Sequence, residues 1–218
     1  MNQTDAMARA ARAKKVTWVG FWVNVVLSVA KIIAGIVGRS GAMIADGVHS
    51  ISDFVTDIIV IVFIGVSAKG ENTRFRYGHG KFETFATMLI SFALFAVAVG
   101  LFWTSFSQIV DALNGKVLPR PEMVALVMAF VSVVAKEWLF HYTRVAGEQM
   151  NPMALVANAW HHRSDAFSSI AVLVGIGCAM FLGERWRVLD PIAAATVSVF
   201  IALVAYRLAM PSIRELLE

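Results

Sequence analysis

The nine residues Ala45-Asp46-Gly47-Val48-His49-Ser50-Ile51-Ser52-Asp53 place a histidine and a carboxylate four positions apart inside an otherwise apolar run. The pattern returns 112 positions later as Ala157-Asn158-Ala159-Trp160-His161-His162-Arg163-Ser164-Asp165, so both copies read Ala-[Asp/Asn]-x-x-His-x-x-Ser-Asp. On a helix, positions i and i+4 lie one above the other on the same face, which sets an imidazole beside a carboxylate in each copy. Two such faces meeting would form a four-ligand pocket from His49, Asp53, His161 and Asp165.

The surroundings of the two copies are those of a membrane protein. Of 218 residues, 58% are hydrophobic and only 16% charged, outside the usual range of a soluble domain. A bilayer span needs about 20 mostly apolar residues, and six fit, at 16–37, 42–66, 86–109, 123–143, 152–182 and 191–210. The expected fold is therefore all-α and polytopic, a six-helix transmembrane domain over 16–210 built as an inverted three-plus-three repeat. Residues 1–15 are expected to be a cytoplasmic basic arm, interfacial or disordered. Residues 211–218 are expected to be a short cytoplasmic tail with no soluble domain.

Lys and Arg alternate between loops. Arg9, Arg12, Lys14, Lys15, Lys69, Arg74, Arg76, Lys81, Arg144, Arg207 and Arg214 fall on one side, against Arg39, Lys116, Arg120, Arg185 and Arg187 on the other. By the positive-inside rule both termini are cytoplasmic, and the net charge of +4 needs no nucleic acid to explain it. The first apolar run is of span length and no small-residue cleavage site follows it, so it reads as a retained helix and not a signal peptide. The lone Cys178 excludes disulfides and cysteine-rich metal sites.

Asp46, His49, Asp53 and Asp57 share one face of the second span, at steps of three and four. An Asp at the bilayer centre costs about 2.5–3.5 kcal/mol on insertion scales, so this face requires partner helices or a water-filled cavity. For Asp46 and Asp57 a buried ion-pair network is an equal alternative to a role in transport. Lys31, towards the outer end of the first span, reads as snorkelling. Lys136, Glu137 and His141 in the fourth span read as local neutralisation with snorkelling. Arg163 lies too deep to be left bare, and Asp57 or Glu137 is its expected partner. The third span holds no ligand and reads as packing. Asn114-Gly115 and Pro119 to Pro121 mark a turn, and Asp190-Pro191 reads as the cap and first turn of the sixth helix.

With a rise of about 1.5 Å per residue and a hydrocarbon core of about 30 Å, all four candidate ligands fall near the midplane. His49 is level with Asp165, and Asp53 with His161. Inverted halves with a site at their interface are the plan of many transporters. Two imidazoles and two carboxylates suit zinc, whereas calcium and magnesium prefer oxygen cages and copper(I) prefers sulfur. Iron, manganese, cobalt, nickel and cadmium remain open alternatives. Metal binding needs neutral histidine and ionised aspartate, so loading displaces protons, as antiport requires.

Other classes fit less well. An intramembrane metalloenzyme would need an open metal position and a general base, and the chain has no His-Glu-x-x-His. A haem bundle has no use for the aspartates, and a passive channel would be held back by a tight four-ligand site.

At these residues the chain resembles the cation diffusion facilitator family of zinc/proton antiporters. The resemblance rests on Ala45 to Asp53, on Tyr77-Gly78-His79-Gly80-Lys81-Phe82-Glu83, on His161-His162-Arg163-Ser164-Asp165 and on Leu189-Asp190-Pro191. It implies a homodimer in the cell inner membrane that exports zinc, and often cadmium, by alternating access through His49, Asp53, His161 and Asp165. Asp46, Asp57, His79 and Asn158 are accessory-pathway candidates. Asn72 and Phe75 stand where members commonly carry further ligands, which leaves His79 alone in that loop. Members usually continue into a soluble cytoplasmic domain, so the chain is expected to be either a short member or a truncated one. Lys81 and Glu218 fall where members form a charge link near the dimer interface.

Overall fold

The computed structural model describes residues 3–67, 80–150 and 153–217; within these, the side chains of 3–14, 17, 55–67, 80–83, 85, 86, 146–150, 153–162, 164 and 215–217 lie outside the description. Among the described residues six helices follow one another: α1 (Gln3–Val37), α2 (Gly41–Ser67), α3 (Gly80–Leu113), α4 (Met123–Met150), α5 (Met153–Phe181) and α6 (Leu189–Leu217). A short 3₁₀ turn, Glu184–Val188, precedes α6. No strand occurs among the described residues. The backbone of the basic arm is helical from Gln3 and continuous with the first apolar run. Its composition of Ala, Met, Arg and Lys, all strong helix formers, accounts for this.

The turns are sharp because specific groups close them. At the end of α1, Arg39 adopts φ 50°, and the Arg39 and Ser40 N–H groups donate back to Ile36 and Gly35 carbonyls. This is a Schellman ending. Ser40 then caps α2 by accepting from the Met43 N–H at 3.1 Å. Gly115 repeats the same ending for α3 with φ 85°, and the Lys116 N–H reaches the Asp111 carbonyl at 3.0 Å.

Asp190 departs from its expected role. Instead of capping its own helix, it lies in the first turn of α6 and aims at the start of α2. The Ser40 hydroxyl donates to its Oδ1 at 2.5 Å, and the Gly41 N–H to its Oδ2 at 2.8 Å. The unsatisfied amides of the α2 terminus attract a carboxylate more strongly than a helix whose early amides already include the donorless Pro191.

α1 packs on α2, α4 on α5 and α3 on α6, while α2 touches α1, α3, α5 and α6. The interior is built largely from small residues, including Ala34, Ala42, Ala45, Ala98, Ala125, Ala129 and Ala194, with Val172, Ile176 and Ile201. Buried serines such as Ser50, Ser52, Ser91, Ser132 and Ser169 accompany them. Large apolar side chains point outward instead, among them Trp22, Phe95, Trp103, Phe130, Phe167 and Phe200. Small or hydroxyl-bearing residues inside and bulky apolar ones outside is the arrangement for helices packing in lipid. Four stretches among the described residues are long and apolar enough to cross a membrane: Trp18–Val37, Thr87–Leu113, Met123–Val145 and Glu184–Arg214.

Candidate metal centre

α2 and α5 carry the two motif copies, and their packing brings the copies together. On α2, His49 Nε2 and Asp53 Oδ2 stand 3.8 Å apart, one helical turn from each other, with both side chains about one-seventh exposed (15% and 13%). On α5, the Asp165 side chain is 9% exposed. One ligand atom from each of His49, Asp53 and Asp165 lies within 4.8 Å of the others. In a zinc tetrahedron with ligand distances of 2.0–2.2 Å the edges are about 3.4 Å, so the three need to close by little more than an ångström around an ion. Nδ1 of His49 is buried without a hydrogen-bond partner among the described residues, a nitrogen that a cation could satisfy.

The fourth expected ligand, His161, has its side chain outside the described residues, as do Asp57 and Asn158. His79 and Glu218 lie outside the described residues, and the Lys81 side chain is likewise not described.

Local features position the described ligands. The Ser52 hydroxyl donates to the His49 carbonyl at 2.7 Å and the Ser168 hydroxyl to the Asp165 carbonyl at 2.8 Å. Such back-bonds seat hydroxyls without leaving them bare in an apolar bundle. Gly47 admits α1: a Cβ there would meet Ile32 Cγ1 at 2.7 Å and Lys31 Cβ at 3.2 Å. Phe21 and Phe54 pack across the same α1–α2 seam with centroids 4.8 Å apart.

Two lysines contradict the sequence expectation. Lys31 does not snorkel; it is 0% exposed and its Nζ pairs with Asp46 Oδ2 at 2.8 Å. The same Nζ also donates to Ser50 and Ser169 hydroxyls at 3.1 and 3.2 Å, and Ser169 lies 3.2 Å from Asp46 Oδ2. Asp46 is thus held in the ion-pair network that was one of its two readings. The close α1–α2 approach at Gly47 turns the lysine inward, where a buried carboxylate outcompetes a route to the interface.

Lys136 does not snorkel either. It is 2% exposed and donates to Asp165 Oδ2 at 2.8 Å. Local neutralisation applies to its neighbours, since His141 Nε2 and Glu137 Oε1 form an exposed pair at 3.3 Å. Arg163 stacks on Phe140, its guanidinium carbon 4.8 Å from the ring centroid.

The signal for Lys136 was present in the sequence. It is the lone Lys or Arg of its span, about 20 Å along α4 from one end, while Asp165 lies about 18 Å along α5 from the other. Side by side, antiparallel helices bring those two to one level.

Residues 17–217 match the family described as the cation efflux transmembrane domain. Manganese efflux system protein MneP of Bacillus subtilis is 33% identical over 98% of this chain and 71% of its own length. Magnetosome protein MamB of a Magnetospira species is 31% identical over 99% of this chain and 71% of its own. Mitochondrial metal transporter 1 of Saccharomyces cerevisiae is 32% identical over 84% of this chain and 39% of its own. The chain spans about half the length of several such relatives, from 39% to 55%.

Proposed function

Because the chain belongs to the cation efflux family, whose members are transporters and not enzymes, we propose that it carries a divalent metal ion across a membrane through His49, Asp53, His161 and Asp165. The observation that carries this reading is the convergence of His49 and Asp53 from α2 with Asp165 from α5 within 4.8 Å. Two oppositely directed helices supply the ligands, so a small relative movement of α2 and α5 changes both the coordination and the side from which it is reached. The four apolar stretches support a six-span arrangement in which α2 and α5, which carry the polar motifs, are sheltered by the others.

Zinc is the proposed cargo, with cadmium also accepted, because two imidazoles and two carboxylates match its preferred donors and coordination number. Proton antiport follows from the same chemistry: an ion that needs neutral histidine and ionised aspartate displaces protons on binding and yields to them on release. Export from the cytoplasm, a homodimer linked near Lys81 and Glu218, placement in the cell inner membrane and cytoplasmic termini complete the reading. A second reading, manganese as cargo, is favoured by the similarity to MneP, a relative named for manganese efflux.

The test is uptake of zinc, cadmium, manganese and iron into proteoliposomes under an imposed pH gradient. Zinc uptake that saturates, drives proton counterflow and is lost in Asp53→Ala and Asp165→Ala is the expected result. Manganese uptake with zinc excluded would move the assignment to the second reading. Unchanged transport of every ion in both variants would remove the metal centre altogether.

A further inference from the structure

Lys136 stands where no cation would be expected if Asp165 served a dication alone. Its ammonium occupies Asp165 Oδ2 at 2.8 Å, beside the His49 and Asp53 atoms that lie within 4.8 Å of the same carboxylate group. A lysine and a metal ion cannot both hold that carboxylate at full strength, because like charges a few ångströms apart repel strongly in a poorly solvated site. The two halves of the chain also differ here. The 112-residue offset that relates the motif copies sets Lys136 opposite Asn24 and Lys31 opposite Thr143. Asp53 therefore has a neutral residue at the repeat-related position where Asp165 has a cation. The first half keeps its lysine for Asp46, whose own counterpart is the neutral Asn158.

We infer that Lys136 is a tethered counter-cation: it holds Asp165 when the metal is absent, is displaced as the metal binds, and returns as the metal leaves. This rests on the metal-site reading above and adds a residue to it. Lys136 is a positioning residue, since it acts on the ion through Asp165. A lysine on a four-carbon stem suits the task, as its single ammonium can swing away while the stem stays packed between α4 and α5. The consequence is a site that binds its ion more weakly than the four ligands alone would, and releases it faster. An apolar or neutral residue in place of Lys136 would remove that ammonium from the competition for Asp165.

The experiment is metal uptake into proteoliposomes for the full chain, with zinc and manganese as probes, on Lys136→Met, Lys136→Gln, Lys136→Arg and Asp165→Asn. Metal-induced thermal shift of the purified proteins is recorded in parallel. For Lys136→Met and Lys136→Gln the expected result is a fall in KM on the order of tenfold, as removal of a nearby like charge implies. A lower maximal rate from slowed release and a larger thermal shift at equal metal concentration go with it. Lys136→Arg, which keeps the charge, shows no fall in KM.

An unchanged or raised KM in both neutral variants, with transport abolished in Asp165→Asn, would overturn the counter-cation and leave the metal centre standing. Native transport in Asp165→Asn would overturn both. Failure of both neutral variants to fold, with Lys136→Arg intact, would assign the lysine to holding α4 against α5 and would also overturn the inference.

Discussion

Replacing Lys31 with Met removes the cation from a carboxylate that is 1% exposed and leaves Asp46 charged in the interior. Removing one partner of a buried ion pair costs about 3–5 kcal/mol, because the remaining charge has neither water nor its partner. Part of that is offset here. Ser169 still lies 3.2 Å from Asp46 Oδ2 and can donate to it, which is worth about 1 kcal/mol. The expected loss for Lys31→Met is therefore about 2–4 kcal/mol. Asp46→Asn should lose a similar amount, since Lys31 then faces only neutral acceptors, the new amide oxygen and the hydroxyls of Ser50 and Ser169. The double variant buries no charge at this point and is expected within about 1 kcal/mol of the native protein, as replacement of a whole buried pair is often neutral. The coupling between the two positions is then at least about 3 kcal/mol. Reversible unfolding in mixed micelles of rising SDS fraction, followed through the chain's six tryptophans, measures all four corners of the cycle. Single variants that each lose less than about 1 kcal/mol, with a double variant that simply adds them, would refute the buried pair.

Two further outcomes follow from close approach and capping. Gly47→Ala is expected to lose about 1–3 kcal/mol in the same assay, since its Cβ would meet Ile32 Cγ1 at 2.7 Å and Ile32 N at 3.1 Å; Gly100→Ala, with nothing within 4 Å, is expected to be neutral or stabilising. Asp190→Ala removes the acceptor for Ser40 and Gly41 and is expected to cost about 1–2 kcal/mol, with amide exchange rising in the first turn of α2 and not of α6.

The helices and the centre of the site were legible in the sequence for one reason: both rest on periodicity. A run of apolar residues of span length can satisfy its backbone only as a helix, and i, i+4 spacing fixes which side chains share a face. His49 and Asp53 needed nothing more, and depth arithmetic joined them to Asp165. The lysines were misread because snorkelling was judged from position along one helix, whereas burial depends on what the neighbouring helix offers. Lys31 turns inward because Gly47 lets α1 come close and Asp46 waits there. Asp190 was misread for a related reason. Sequence proximity favoured its own helix, but the fold sets the α2 terminus beside it, and that contact spans some 150 positions of the chain.

The two buried lysine–aspartate pairs look alike in distance, 2.8 Å each, yet their surroundings assign them different work. Lys31 and Asp46 are 0% and 1% exposed and bonded to two serines from α2 and α5, so nothing that reaches the site can replace either partner without separating α1 from α2. The Lys136 and Asp165 side chains are 2% and 9% exposed, and Asp165 borders His49 and Asp53, whose side chains are 15% and 13% exposed. An ion arriving there can take over the carboxylate and release the lysine. The same Lys→Met change is therefore expected to act on different observables at the two positions. At Lys31 it lowers the stability of the bundle and leaves the affinity of the folded fraction for metal near native, whereas at Lys136 it tightens metal binding and the bound ion restores the lost charge balance. If metal stabilised the Lys31 variant as strongly as the Lys136 variant, the division between a structural pair and an exchangeable one would not hold.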